Sequence, residues 1–248
     1  MNTIYILWLR QLKRYFMSKP RIIGSLGQPL LFLVALGYGF GPVFQKAGEG
    51  NYIEFLAPGI ISMSILFTAM FSGIEVIWDR QFGFLKATLV APVSRFEIMI
   101  GKTIGGATVA IFQGIVVLLI SFIAGFRIYN TAYLLITFLF MFLVAFLFAA
   151  LGMTIASVLE DFQGFQLISN FLIMPLFFLS GALFPITGLP KIIGFVAKVN
   201  PLSYGIDGIR NSLIGISNFG FFTDFTVLFL VIVVLTAIGS YLFSKIQI

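Results

Sequence analysis

Histidine and cysteine are both missing from this 248-residue chain. Their absence removes disulfides, thiolate nucleophiles, imidazole bases and the usual zinc and haem ligands. It also leaves the redox compartment unread. Charge is scarce as well, at 10% of residues, while 60% are hydrophobic and the mean hydropathy is +1.09. Soluble domains carry roughly 45–50% apolar residues, and a fold of this size could not hide the excess from water. What remains is a protein that crosses the bilayer many times. The 31 Phe and 25 Gly agree with that class, since Gly lets helices approach closely in lipid. The net charge of +6 is read as a topology signal rather than as a nucleic-acid surface.

Catalytic and metal-binding constellations are missing too. Carboxylates are scattered, Ser and Asp occur without His, and no catalytic or metal residue is assigned. Ile100–Thr103 reads Ile-Gly-Lys-Thr, which resembles the end of a phosphate-cradling loop. Such a loop needs another Gly five positions before the Gly of the Gly-Lys pair, with four residues between them, and the chain has Phe96 there. It also needs a preceding strand, whereas this stretch leads into an apolar helix. The chain is expected to bind no nucleotide and no cofactor of its own.

About 20 apolar residues cross a bilayer. Six stretches qualify: Ile22–Phe44, Phe55–Trp78, Thr103–Phe126, Thr131–Leu159, Phe165–Phe184 and Phe225–Ser244. Pro29 and Pro175 fall inside spans and are expected to kink them. Alternating the spans places ten of the 15 Lys and Arg on the side of the N-terminus. That side is the cytoplasm by the positive-inside rule, with both termini there. The expected result is an all-α polytopic membrane protein, one transmembrane domain over residues 1–248, in the plasma membrane.

Three segments lie outside this plan. Residues 1–20 carry Ile4, Trp8, Leu12, Tyr15 and Phe16 at helical spacing, with Arg10, Lys13 and Arg14 on another side. This is not a cleavable signal. It reads as an interfacial amphipathic helix with its basic residues toward lipid headgroups, either a plain anchor or a functional contact. Residues 185–222 are apolar but broken by Pro and Gly, as expected of re-entrant helices dipping in from outside. Residues 79–102 form a cytoplasmic amphipathic stretch turned at Ala91-Pro92. Phe82, Leu85, Leu89 and Val93 are expected to face the membrane domain there, leaving Lys86, Arg95 and Glu97 free for a partner. Glu75, the lone carboxylate inside a span, reads as structural and paired with Arg80 or the N-terminal basic residues. A proton relay at Glu75 would instead mean an ion-coupled carrier or channel.

The stretch WDRQFGFLKATLVAPVSRFEIMIGK resembles the intracellular coupling region of ABC type-2 exporter permeases, in particular the daunorubicin-resistance and lipo-oligosaccharide export group. FLAPGIISMSILF, PLFFLSGALFPITGLP and NPLSYGIDGIR extend the resemblance over nearly the whole chain in the family's order. The resemblance implies an interfacial helix, six spans and re-entrant helices before the sixth. It also implies a loop after the second span that docks on a separate ATPase subunit. Arg80, Gly83, Leu85, Pro92, Ser94 and Arg95 match the coupling pattern, and Lys86 and Leu89 lie within the same segment. Gln81 and Lys86 depart from it where an acidic residue is common. By this resemblance two permeases pair with two ATPases, ATP and Mg reside on the ATPase, and the cargo is lipophilic or drug-like, with a lipid-linked glycan as alternative. No substrate-binding residue is assigned.

Overall fold

The computed structural model describes residues 3–46, 50–85, 88, 92–129, 131–187 and 190–246, and every statement below concerns these. The elements among them are helical. They are α1 (Thr3–Met17), α2 (Lys19–Lys46), α3 (Tyr52–Phe71), α4 (Ile74–Gln81) and α5 (Arg95–Ile123). A 3-10 turn at Thr131–Tyr133 leads into α6 (Leu134–Val158), followed by α7 (Phe162–Phe178), α8 (Lys191–Val199), α9 (Pro201–Ile214) and α10 (Phe221–Ser244).

Local chemistry sets many of the boundaries. Side chains at Asn51, Ser94, Asp161 and Asn200 accept from backbone N–H groups of the helices they precede, which satisfies donors that a helix start leaves unpaired. Pro201 at the first position of α9 suits the same rule. Gly215 closes α9 in the left-handed region at φ 76°.

Five helical stretches are long and apolar enough to cross a bilayer: Ile22–Lys46, Tyr52–Gln81, Arg95–Ile123, Thr131–Val158 and Phe221–Ser244. The expected fifth span, Phe165–Phe184, is a helix only over Phe162–Phe178. Asp161 starts it earlier, and a turn through Gly181 at φ 76° ends it earlier. Its 17 residues rise about 26 Å. Even so, α7 runs from one end of the bundle to the other. Trp78 stacks on Phe162 at its start, and Tyr52 Oη donates to the Leu183 carbonyl just past its finish at 2.8 Å.

The second expected span divides into α3 and α4 at Ser72 and Gly73. A Cβ on Gly73 would overlap the Gly152 carbonyl of α6, and one on Gly152 would overlap the Met70 carbonyl of α3. Backbone meets backbone at this crossing, so it is closed to any side chain. The helix continues through Pro29 and Pro42 in α2 and through Pro175 in α7.

One end of the bundle gathers α1, α4, the starts of α5 and α7, and the end of α10; it is called the basic end below. The opposite, distal end gathers residues 50–55, 123–134 and 179–220. Here the chain enters at Pro185 and leaves at Gly220, with α8 and α9 forming a hairpin between. Gly205 of α9 faces Val144 of α6, Gly208 faces Phe140, and Ser212 accepts from Thr137 at 2.8 Å. The α9 start therefore lies about 15 Å or more below the start of α6. Buried Arg210 ties this hairpin down, donating to the Gly181 carbonyl at 3.0 Å and lying 4.0 Å over the Phe55 ring.

Most buried apolar side chains form one core shared by α3, α5, α6, α9 and their neighbours. A second, smaller core sits at the basic end and includes Leu7, Ile77, Leu85, Met99, Phe165, Phe243 and Ile246.

Candidate functional site

The basic end contains a chain of ion pairs. α1 lies along α5 because Gly101 and Gly105 present bare backbone to Ile4, Leu7 and Gln11. That contact aims Arg10 and Arg14 at α4. Arg10 grips Asp79 with two bonds, Nη2 to Oδ1 at 2.7 Å and Nη1 to Oδ2 at 3.0 Å. Lys102, from the second turn of α5, donates to the same carboxylate. Arg14 Nη1 lies 3.7 Å from Asp79 and 3.7 Å from Glu75. Asp79 and Lys102 are each 3% exposed along their side chains, so neither could stay charged there without the other. Three cations thus share two carboxylates, and α1, α4 and α5 are locked as a unit.

The stretch after α4 rests on this unit. Gly83 turns the chain at φ 75°, a region that disfavours side chains. Phe84 then lies under the Arg10 guanidinium, 3.5 Å from its ring centre. Leu85 is buried in the small core, and Val93 packs against it. Arg10 therefore touches α4 through Asp79 and the following turn through Phe84. Exposed Phe82, Phe84 and Phe96 stand at the same end.

Several sequence expectations are redrawn. Phe82 does not face the membrane domain; it is 81% exposed. Arg95 to Lys102 are not part of a separate amphipathic helix but form the first two turns of α5, capped by Ser94. Arg95 is not free for a partner, because its Nη1 donates to the carbonyls of Ser244 and Ile246 at 2.5 and 2.9 Å. Glu75 pairs with Arg14, as one of the two expected arrangements has it, while Arg80 reaches Glu160 at 2.9 Å. Arg10 and Arg14 point to carboxylates rather than to headgroups, and Lys13 is exposed. Trp8 donates from Nε1 to Thr108 Oγ1 of α5 at 3.0 Å. Pro92 is exposed. Lys86 and Leu89 lie outside the described residues.

Sequence reasoning missed Asp79 and Lys102. The available signal was spacing: Glu75 and Asp79 stand four apart, on one face of a helix. Lys102 directly precedes an apolar run, where a lone cation inside a helix demands a partner.

Among the cavities formed by the described residues, two have linings suited to cargo. One of about 370 Å³ opens between α1, α2 and α3, where Tyr15, Ser25, Gln28, Ser64, Phe67 and Thr68 line it, and none of its lining residues is charged. The other, about 540 Å³, lies at the distal end and combines Phe44, Phe55 and Tyr129 with Asn51, Glu54 and Asn218. There Tyr129 donates to Glu54 at 3.1 Å, which holds the phenol pKa above its ordinary value. Among the described residues no cluster could hold a metal ion.

Residues 2–214 match the family model described as ABC-2 type transporter. The chain is 30% identical over 213 residues to Nodulation protein J of Rhizobium leguminosarum bv. trifolii, covering 85% of this chain and 78% of that one. It is 28% identical over 230 residues to Inner membrane transport permease YadH of Escherichia coli K12, covering 92% and 89%. An apolar helical bundle with five helices long enough to cross a membrane among the described residues fits those matches. The chain belongs to the ABC-2 type transporter family, as the membrane permease subunit that partners an ATP-binding subunit.

Proposed function

We propose that this chain is the permease of an exporter that carries a lipophilic or drug-like molecule out through the plasma membrane. Two copies pair with two ATPase subunits, which bind ATP and Mg and supply the hydrolysis. The basic end faces the cytoplasm, six helices cross, and α8 and α9 re-enter from outside. The depth of the α9 start and the distribution of Lys and Arg support this topology.

The observation that carries the reading is the dual engagement of Arg10. A push on the turn at Phe82–Leu85 reaches α1 and Asp79 through one guanidinium. From there it passes to α5 along Gly101 and Gly105, and to the α3–α4 break at Gly73. Exposed Phe82 and Phe96 are the apolar contacts offered to the ATPase. Interface cores favour such aromatic anchors over charge. Moving a two-state equilibrium from 1:99 to 99:1 takes about 5.5 kcal/mol of differential binding, which the ATPase contacts must provide.

The uncharged cavity beside α2 supports an apolar, uncharged cargo entering from the inner leaflet. A lipid-linked glycan is the second reading, favoured by the distal cavity, whose aromatic faces and amide and carboxylate groups suit a hydroxylated headgroup. Ion coupling has weaker support, because Glu75 is buried beside Arg14. Export assays on liposomes holding the permease and its ATPase test the reading. ATP-dependent efflux of a rhodamine dye is expected, and efflux that follows a proton gradient without ATP would overturn it.

A further inference from the structure

We propose that Arg95 is a positioning residue for coupling: it fixes the junction of the coupling segment and α5 by holding the main chain at the end of α10. The inference rests on the exporter reading for its meaning, but the contact itself does not. Ser244 is the last residue of α10, and its carbonyl is among those that a helix end leaves without an internal partner. The negative end of the helix dipole lies there, where a cation is favoured. Arg95 comes from the first turn of another helix, directly after the Ser94 cap, and supplies both the charge and the donors. Its Nη1 bonds to the Ser244 carbonyl at 2.5 Å and to the Ile246 carbonyl at 2.9 Å.

Beneath this clasp lies the small apolar core. Ile246 is 4% exposed, Phe243 is fully buried, and both share that core with Leu85 of the coupling segment and with Ile98 and Met99 of α5. The coupling segment is therefore held on two sides, by Arg10 over Phe84 and by Leu85 under the Arg95 clasp. The second hold extends the reach of the segment to α10. Gly239 of α10 meets Met99 of α5 and Thr154 of α6 so closely that a Cβ there would lie 2.6 and 2.5 Å from them. Displacing the segment must then move α10 and α6 together. Arg95 and the carbonyls of Ser244 and Ile246, 149 and 151 positions away in sequence, act as one joint.

The test uses Arg95→Gln, which removes the charge and the fork, Arg95→Lys, which keeps the charge, and Ile246→Ser, which weakens the same joint from beneath. Hydrogen exchange of the amides of residues 82–85 and 93–94 is measured first on the permease alone, in detergent. Exchange there is expected to rise about tenfold in Arg95→Gln and less in Arg95→Lys, the scale set by losing a charge-assisted hydrogen bond. The double variant Arg95→Gln/Ile246→Ser should be no worse than the more severe single change, because both act through one contact. With the ATP-binding subunit that co-purifies with the native chain, affinity should stay within about twofold while export per ATP falls about tenfold. Unchanged exchange in Arg95→Gln together with lost ATPase binding would overturn the proposal and make Arg95 a docking residue. Should the native chain retain no ATPase, the exporter reading fails, and the exchange measurement still decides the clasp.

Discussion

Arg10 and Asp79 face each other in a two-pronged ion pair, 2.7 and 3.0 Å between the charged atoms, although 69 residues separate them. The carboxylate is buried and also serves Lys102. Removing its charge strands a buried ammonium, which costs about 3–5 kcal/mol. Asp79→Asn should therefore lower the thermal midpoint in detergent well beyond the usual effect of a surface change. The double variant Asp79→Leu/Lys102→Met removes both buried charges and should recover most of that loss. Melting curves of the three proteins decide it, and equal midpoints for native and Asp79→Asn would contradict the network.

The Gly73–Gly152 crossing gives a second expectation. Neither position has room for a methyl group, and the obstacle is backbone, which cannot swing aside. Gly73→Ala and Gly152→Ala should each destabilise by about 1–3 kcal/mol. Gly24→Ala and Gly41→Ala, which meet nothing within 4 Å, should be silent. Chemical denaturation in mixed micelles separates the two pairs.

Much of this could be read along the chain. Long apolar runs announced the spans because lipid leaves a helix no alternative way to satisfy its backbone. The Pro and Gly breaks in residues 185–222 announced short helices there for local reasons. Apart from Glu75 and the N-terminal basic residues, the pairing of distant charges could not be read. Arg95 sits in a helix start that looks solvent-facing, and only the approach of residues 244–246 turns it inward. The break between α3 and α4 was equally hidden, since Gly73 is informative only once Gly152 is known to press on it. The early end of α7 had a local cause in the turn at Gly181, but the apolar run Leu179–Phe184 masked it.

Topology offers a third check, helped by a chain with 0 Cys. Cysteines placed singly at Lys46 and Thr187, both exposed at the distal end, should react with an impermeant thiol reagent added outside intact cells. Those at Gln81 and Gln163, exposed at the basic end, should react only after the membrane is opened. Outside labelling at Gln81 would reverse the orientation and remove the coupling argument with it.

Glu75 distinguishes a pump from an ion-coupled carrier. Its carboxylate stands 3.7 Å from Arg14, a distance for modest attraction to a half-exposed guanidinium. Glu75→Gln should keep most ATP-driven export and show the native dependence on external pH. Complete loss of export in a correctly assembled complex would place Glu75 in a proton pathway.

In the proposed mechanism, force from the ATPase enters through the turn at Phe82–Leu85 and passes by way of Arg10. Phe84→Ala tests it most directly, because it removes the ring under that guanidinium and leaves the Arg10–Asp79 pair standing. The measurement is export per ATP hydrolysed, in liposomes holding the purified complex of permease and ATPase. Assembly should be normal and hydrolysis should continue, while export per ATP falls about tenfold or more, equivalent to at least about 1.4 kcal/mol of lost coupling. Native export per ATP in Phe84→Ala, with the complex intact, would contradict it.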